Sequence, residues 1–280
     1  MGKFDGIEPI CYSRNVDMAG FLIFQPAMLI MNMIALFMTG VMIYHIKTKY
    51  TAVGRKEIII FFQLYSVTIF LEMLLVTNII PTASILYPFF TATHIGLISA
   101  LCWCLLLTGF VGFQFTEDGT AISLWSIRIS TFIVFFIVGF IAMATFNNLG
   151  PFKYTSPGIL WTIYFILNGS MLLIYTISQA ILILFTLDDR WPLGDVIFGV
   201  LFFVSGLVVT YIFSVTLCEE MKHYLDGLFF GSLCDLLAVM MVYKYWDSIT
   251  KEDLEFSIDL KYQNWETQAL FNEEEVKSAK

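Results

Sequence analysis

The chain has 280 residues, 58% of them apolar and 14% charged, with a mean hydropathy of +0.79. Soluble domains carry roughly 25% charged residues, so the bilayer, not water, is the expected solvent. The net charge is −8, and nine carboxylates face four lysines after Tyr245, which argues against nucleic acid as a partner.

In chain order, a polar segment comes first. It has no basic stretch leading into a cleavage site, so the first span is expected to serve as its own insertion signal. Apolar runs then predict an all-α fold, a polytopic bundle of seven transmembrane helices. They lie at Met18–Tyr44, Glu57–Ile79, Ile85–Phe113, Ala121–Phe146, Gly158–Thr186, Pro192–Thr216 and His223–Tyr243. Pro81, EDGT (117–120), NNLGP (147–151), SPG (156–158) and DDRWP (188–192) punctuate them. The expected organisation is a short lumenal segment over 1–17, the membrane domain over 18–244, and an acidic cytoplasmic tail over 245–280.

Basic residues set the orientation. The first loop holds Lys47, Lys49, Arg55 and Lys56, while the second holds no Lys or Arg. With the first loop cytoplasmic, that side carries eleven of the fifteen Lys and Arg residues. The N-terminus is then lumenal or external and the C-terminus cytoplasmic.

Ionisable groups inside spans are costly and are functional candidates by default. At 1.5 Å per residue, Glu72 lies about 22 Å from the cytoplasmic start of the second span, and His94 about 13 Å below the lumenal start of the third. A Glu72–His94 hydrogen bond is the preferred pairing; the alternative is that a backbone or hydroxyl group satisfies each separately. Asp235 falls near the midplane of the last span. Gly227, Gly231 and Asp235 are spaced four and four, so they share one helix face. The two glycines form GxxxG, which lets another backbone approach closely.

The densest polar stretch in this apolar background is CEEMKHYLDGLFFGSLCD, from Cys218 to Asp235. Glu219, His223 and Asp226 can share a patch at the start of the last span; a plain hydrated helix start is the alternative. The chain's three histidines, His45, His94 and His223, are divided between the two membrane edges and a span, so a His-rich metal site is not expected. No cofactor motif is found, neither a phosphate loop nor GxSxG, and no catalytic residue is assigned. Cys11 and Cys218 both fall on the lumenal side, where thiols oxidise, and are candidates for a disulfide. Cys102, Cys104 and Cys234 read as core thiols.

Five stretches, CYSRNVDMAGFLIF (11–24), KYTAVGRKEIIIFFQL (49–64), EDGT (117–120), CEEMKHYLDGLFFGSLC (218–234) and MMVYKYWD with DLEF after it (240–256), together resemble the fungal chitin synthase export chaperone family. The resemblance covers nearly all of the chain from Cys11 to about Phe256. It implies a multi-pass protein of the endoplasmic reticulum membrane. Such a protein is not an enzyme: it helps a chitin synthase catalytic subunit fold and leave that compartment, supporting cell-wall chitin synthesis. The role extends to accompanying the client to the plasma membrane. On this reading Glu219, Lys222, His223 and Asp226 shape a lumenal client-docking patch, while Gly227, Gly231 and Asp235 offer a docking or packing face. Asp253-Leu254-Glu255 is a D-x-E triplet of the type read by vesicle-coat adaptors; an ordinary solvated charge run is the alternative.

Two other classes compete. A seven-helix receptor fits the topology, but the third span ends in GFVGFQFTEDG without an acidic–Arg–aromatic triplet. A small-solute transporter is suggested by Glu72, Asp195 and Asp235, but lacks repeat symmetry and matching broken spans.

Overall fold

The structure is a computed structural model describing residues 11–250 except 12, 19–20, 51, 114–118, 153–156 and 188–189. The candidate export residues Asp253 and Glu255 lie outside the described residues.

Among the described residues, seven helices are long and apolar enough to cross a membrane: α1 (Pro26–Thr48), α2 (Arg55–Val76), α3 (Tyr87–Val111), α4 (Ala121–Phe146), α5 (Gly158–Thr186), α6 (Trp191–Tyr211) and, after the short α7 (Ser214–Glu220), α8 (Gly227–Ile249). Large side chains stay exposed on their outer faces; Phe37 is 71% and Phe136 64% exposed. Water would penalise such a surface, whereas lipid tails do not. Within lipid, packing and interhelical hydrogen bonds hold the helices together.

The first predicted span is shorter at its start than its hydropathy suggested. Val16–Met18 (β1) and Phe21–Ile23 (β2) form an antiparallel hairpin, with Val16 opposite Ile23 and Met18 opposite Phe21. The helix begins only at Pro26, whose fixed φ suits a first turn and whose missing N–H is not needed there. Hydropathy alone cannot separate an apolar strand from the helix that follows it. The sixth span likewise stops at Tyr211 instead of Thr216, and α7 follows as a separate short helix. The last starts at Gly227 instead of His223 and continues to Ile249.

α8 packs along the length of α6 and also touches α1; α3 contacts α2, α4 and α5; and α1 pairs with α2. One apolar cluster, including Met42, Ile58, Phe61, Phe62, Cys104 and Trp246, fills the end where the α1–α2 loop meets the end of α8. A second, Met31, Ala35, Tyr65, Ile69 and Leu236, joins α1, α2 and α8 nearer the other end.

Candidate functional site

Residues 218–226 form a compact clasp with the N-terminal segment. α7 ends in a Schellman motif: the His223 amide donates to the Cys218 carbonyl (2.8 Å) and the Lys222 amide to Glu219 (3.0 Å). The C′ position of that motif needs a left-handed residue, usually Gly. Here Lys222 has φ 52°, and His223 after it has φ 62°. Each non-Gly residue in this region costs about 1–2 kcal/mol, so surrounding bonds must hold the turn. The motif turns His223 back over Cys218. Cys218 is joined to Cys11 by a disulfide across 207 residues, with Cα atoms 6.3 Å apart. The imidazole Nδ1 sits 3.3 Å from Cys218 Sγ and 3.5 Å from Cys11 Sγ. The Arg14 amide donates to the His223 carbonyl (2.7 Å), and the Arg14 guanidinium lies over the Tyr224 ring at 5.7 Å.

Asp226 completes the clasp. It is the N-cap of α8, taking the Phe229 amide on Oδ1 (3.0 Å), while Oδ2 takes the Ser13 amide (3.2 Å). It is fully buried, so its carboxylate serves the fold internally. Glu219 and Lys222 remain exposed.

The GxxxG face packs on the protein's own α6–α7 segment. A Cβ on Gly227 would come 2.5 Å from Ser214 Oγ and 2.8 Å from its Cα, and one on Gly231 would run into Thr210 Oγ1. A Cβ on Gly206 of α6 would meet Cys234 Cβ at 3.1 Å and Asp235 Oδ1 at 3.4 Å. The small residues therefore let α6 and α8 touch nearly backbone to backbone, with Asp235 at the edge of that seam.

Asp235 is exposed, yet its charge reaches Tyr65 and Glu72 of α2, Cys102 of α3 and Tyr164 of α5. Asp235 thus sits beside the α6–α8 seam, within electrostatic range of α2, α3 and α5. Among the described residues neither Asp235 nor Glu72 has an ion-pair partner. Glu72 is partly buried, and its electrostatic neighbour is Asp235. The expected Glu72–His94 hydrogen bond does not form, and His94 Nε2 is buried without a hydrogen-bond partner among the described residues. The two residues lie at similar depth, about 6 Å and 10 Å from their helix ends, but rotation of each helix about its axis decides which faces meet.

The opposite end carries a second set of clasps that the sequence did not single out. Glu57 is 1% exposed; its Oε1 accepts from the Gly119 amide (2.7 Å) and the Ser123 hydroxyl (3.1 Å). Lys56 Nζ donates to the Gly119 carbonyl (3.1 Å). Trp246 Nε1 donates to Val53 O (3.1 Å), Lys49 pairs with Asp247, and Tyr245 OH donates to Gln179 Oε1 (2.8 Å). Described residues of the motif stretches thus meet in space: Cys11, Ser13 and Arg14 with the Cys218–Asp226 turn, Lys56 and Glu57 with Gly119, and Lys49 and Val53 with Asp247 and Trp246. No periodicity signals these meetings, because each joins two loops or helix ends distant in sequence.

Comparison with known proteins comes to one family. Its model, described as chitin synthase export chaperone, matches residues 2–260. A protein of that name from Coccidioides immitis is 50% identical over 270 residues, covering 96% of this chain and 82% of its own. The Neurospora crassa protein is 52% identical over 268 residues, covering 95% and 74%, and the Aspergillus fumigatus protein is 47% identical, covering 96% and 82%. No solved structure matches the chain.

Proposed function

This chain belongs to the chitin synthase export chaperone family, a family of multi-pass membrane chaperones and not of enzymes, and we propose that it serves a chitin synthase catalytic subunit in the endoplasmic reticulum membrane. It holds the client while that subunit folds, then passes it to export. The orientation that fits is N-terminus lumenal: the Lys47–Lys56 end is the basic one, and the disulfide lies at the other, where thiols oxidise.

The observation that carries the mechanism is Asp235. An accessible, unpaired carboxylate inside a span is expensive, and a client helix bearing a donor or a cation would relieve that cost. Glu72 adds a second acceptor to the same place. Glu219 and Lys222 supply an exposed polar rim above it, whereas Asp226, Gly227 and Gly231 are spent on internal contacts. Asp253 and Glu255 would offer the D-x-E triplet to vesicle-coat adaptors on the cytoplasmic side.

The test follows a tagged chitin synthase catalytic subunit in cells lacking this gene, complemented with wild type, Asp235→Asn or Asp253→Ala/Glu255→Ala. Wild type should restore client exit from the reticulum. Asp235→Asn should be made at normal level and leave the client behind, and the tail variant should retain the chaperone itself. No rescue by wild type would overturn the client assignment; full rescue by Asp235→Asn would overturn docking at that carboxylate alone.

A further inference from the structure

Among the described residues, Cys11, Cys218 and His223 bring three ligand atoms within 4.8 Å of one another. The geometry points to a second state of this clasp, in which the reduced Cys11 and Cys218 together with His223 bind one Zn2+. Two thiolates and an imidazole are a donor set that favours this ion, and they neutralise its charge. With Zn–S near 2.3 Å and Zn–N near 2.0 Å, a tetrahedral site has S–N edges of about 3.5 Å and an S–S edge of about 3.8 Å. The two S–N separations here are 3.3 and 3.5 Å. Only the sulfurs must part, and rotation about the two Cα–Cβ bonds provides that. Water fills the fourth position.

The imidazole is placed by backbone, not by the disulfide. The Schellman bond from the His223 amide to the Cys218 carbonyl and the Arg14 amide on the His223 carbonyl are backbone contacts that involve neither sulfur. Nδ1 faces both sulfurs and must carry the lone pair to act as a ligand.

The chemistry balances. A dithiol reductant passes two electrons and two protons to the Cys11–Cys218 bond and becomes a disulfide, leaving two thiols. Zn2+ then replaces both thiol protons, which leave to water. Before oxidation in a new chain, the same ion would tie the N-terminal segment to the α7–α8 turn and hold the two cysteines in register for the later bond.

The full-length protein, purified in detergent, is reduced anaerobically with a phosphine and titrated with Co2+ as a spectroscopic stand-in for Zn2+. The expected result is one Co2+ per chain with thiolate charge-transfer and tetrahedral d–d bands, displaced by Zn2+ and absent from the oxidised protein. Cys11→Ser and Cys218→Ser should abolish the bands, and His223→Ala should weaken binding by at least about tenfold. Bands that survive in both serine variants come from Cys102, Cys104 or Cys234 and would overturn the proposal. A second readout does not require the metal-free reduced state to be stable. Zn2+ present during reduction should slow alkylation of Cys11 and Cys218 by about tenfold or more in wild type and not in His223→Ala. Equal alkylation rates with and without Zn2+ would also overturn it.

Discussion

The backbone amide of Ser13 donates to the carboxylate of Asp226 across 213 residues of sequence, at 3.2 Å. The other oxygen of that carboxylate caps α8 through Phe229, so one buried side chain both starts the last helix and holds the N-terminal segment against it.

Asp226→Ala therefore removes a helix cap, worth about 1 kcal/mol, and strands the Ser13 amide, which costs about 1–3 kcal/mol more. Thermal unfolding of the detergent-purified protein should show a loss of about 2–4 kcal/mol. Asp226→Asn keeps one carbonyl acceptor and should fall between the two. If alanine and wild type unfold together, the clasp contributes nothing to stability.

Cys11→Ser, Cys218→Ser and the double variant should be destabilised equally, because losing either sulfur breaks the same bond. The loss expected is about 2 kcal/mol, the low end for a disulfide, since membrane spans already restrict the unfolded chain. An additive double variant in the same melts would show separate roles for the two residues.

The α6–α8 seam predicts an order among glycine substitutions. Gly227→Ala meets the Ser214 backbone at 2.8 Å, whereas Gly231→Ala clashes with the Thr210 hydroxyl and meets backbone, the Gly206 carbonyl, only at an ordinary 3.6 Å. Gly227→Ala should cost more, within the roughly 1–3 kcal/mol typical of overpacking. Thr210→Ala should recover most of the loss from Gly231→Ala and none of the loss from Gly227→Ala, read as the monodisperse fraction in gel filtration and as melting temperature.

Glu57→Ala should strand two donors, the Gly119 amide and the Ser123 hydroxyl, at about 1–3 kcal/mol each. Glu57→Gln retains a carbonyl acceptor and should lose less than half as much. Equal melting of the two variants would mean that the charge matters and not the hydrogen bonds.

Asp235→Leu should separate stability from function. It removes an accessible carboxylate from a span, and the purified protein should be as stable as wild type or more so by about 1 kcal/mol. Client assembly, read by co-purification, should fall. A variant that unfolds would show instead that Asp235 is needed by the bundle.

Much was legible in the linear sequence. The seven spans follow from unbroken apolar runs, and the clustering of Glu219, Lys222, His223 and Asp226 beside Gly227 and Gly231 marks the place where the chain folds back on itself. These properties are local: a residue's hydropathy and its spacing along one helix do not depend on what lies opposite. Tertiary structure decided the partners. It delayed the start of the first span to Pro26 by pairing Val16–Met18 with Phe21–Ile23, placed Glu72 within electrostatic range of Asp235 without a hydrogen bond to His94, turned the GxxxG face to α6, and used Asp226 as a clasp. In a bilayer every face of an apolar helix is equally welcome to lipid, so hydropathy carries little information about rotation. That rotation is set by where small residues allow close approach and where a buried polar atom finds its mate, and both are known only once two helices meet.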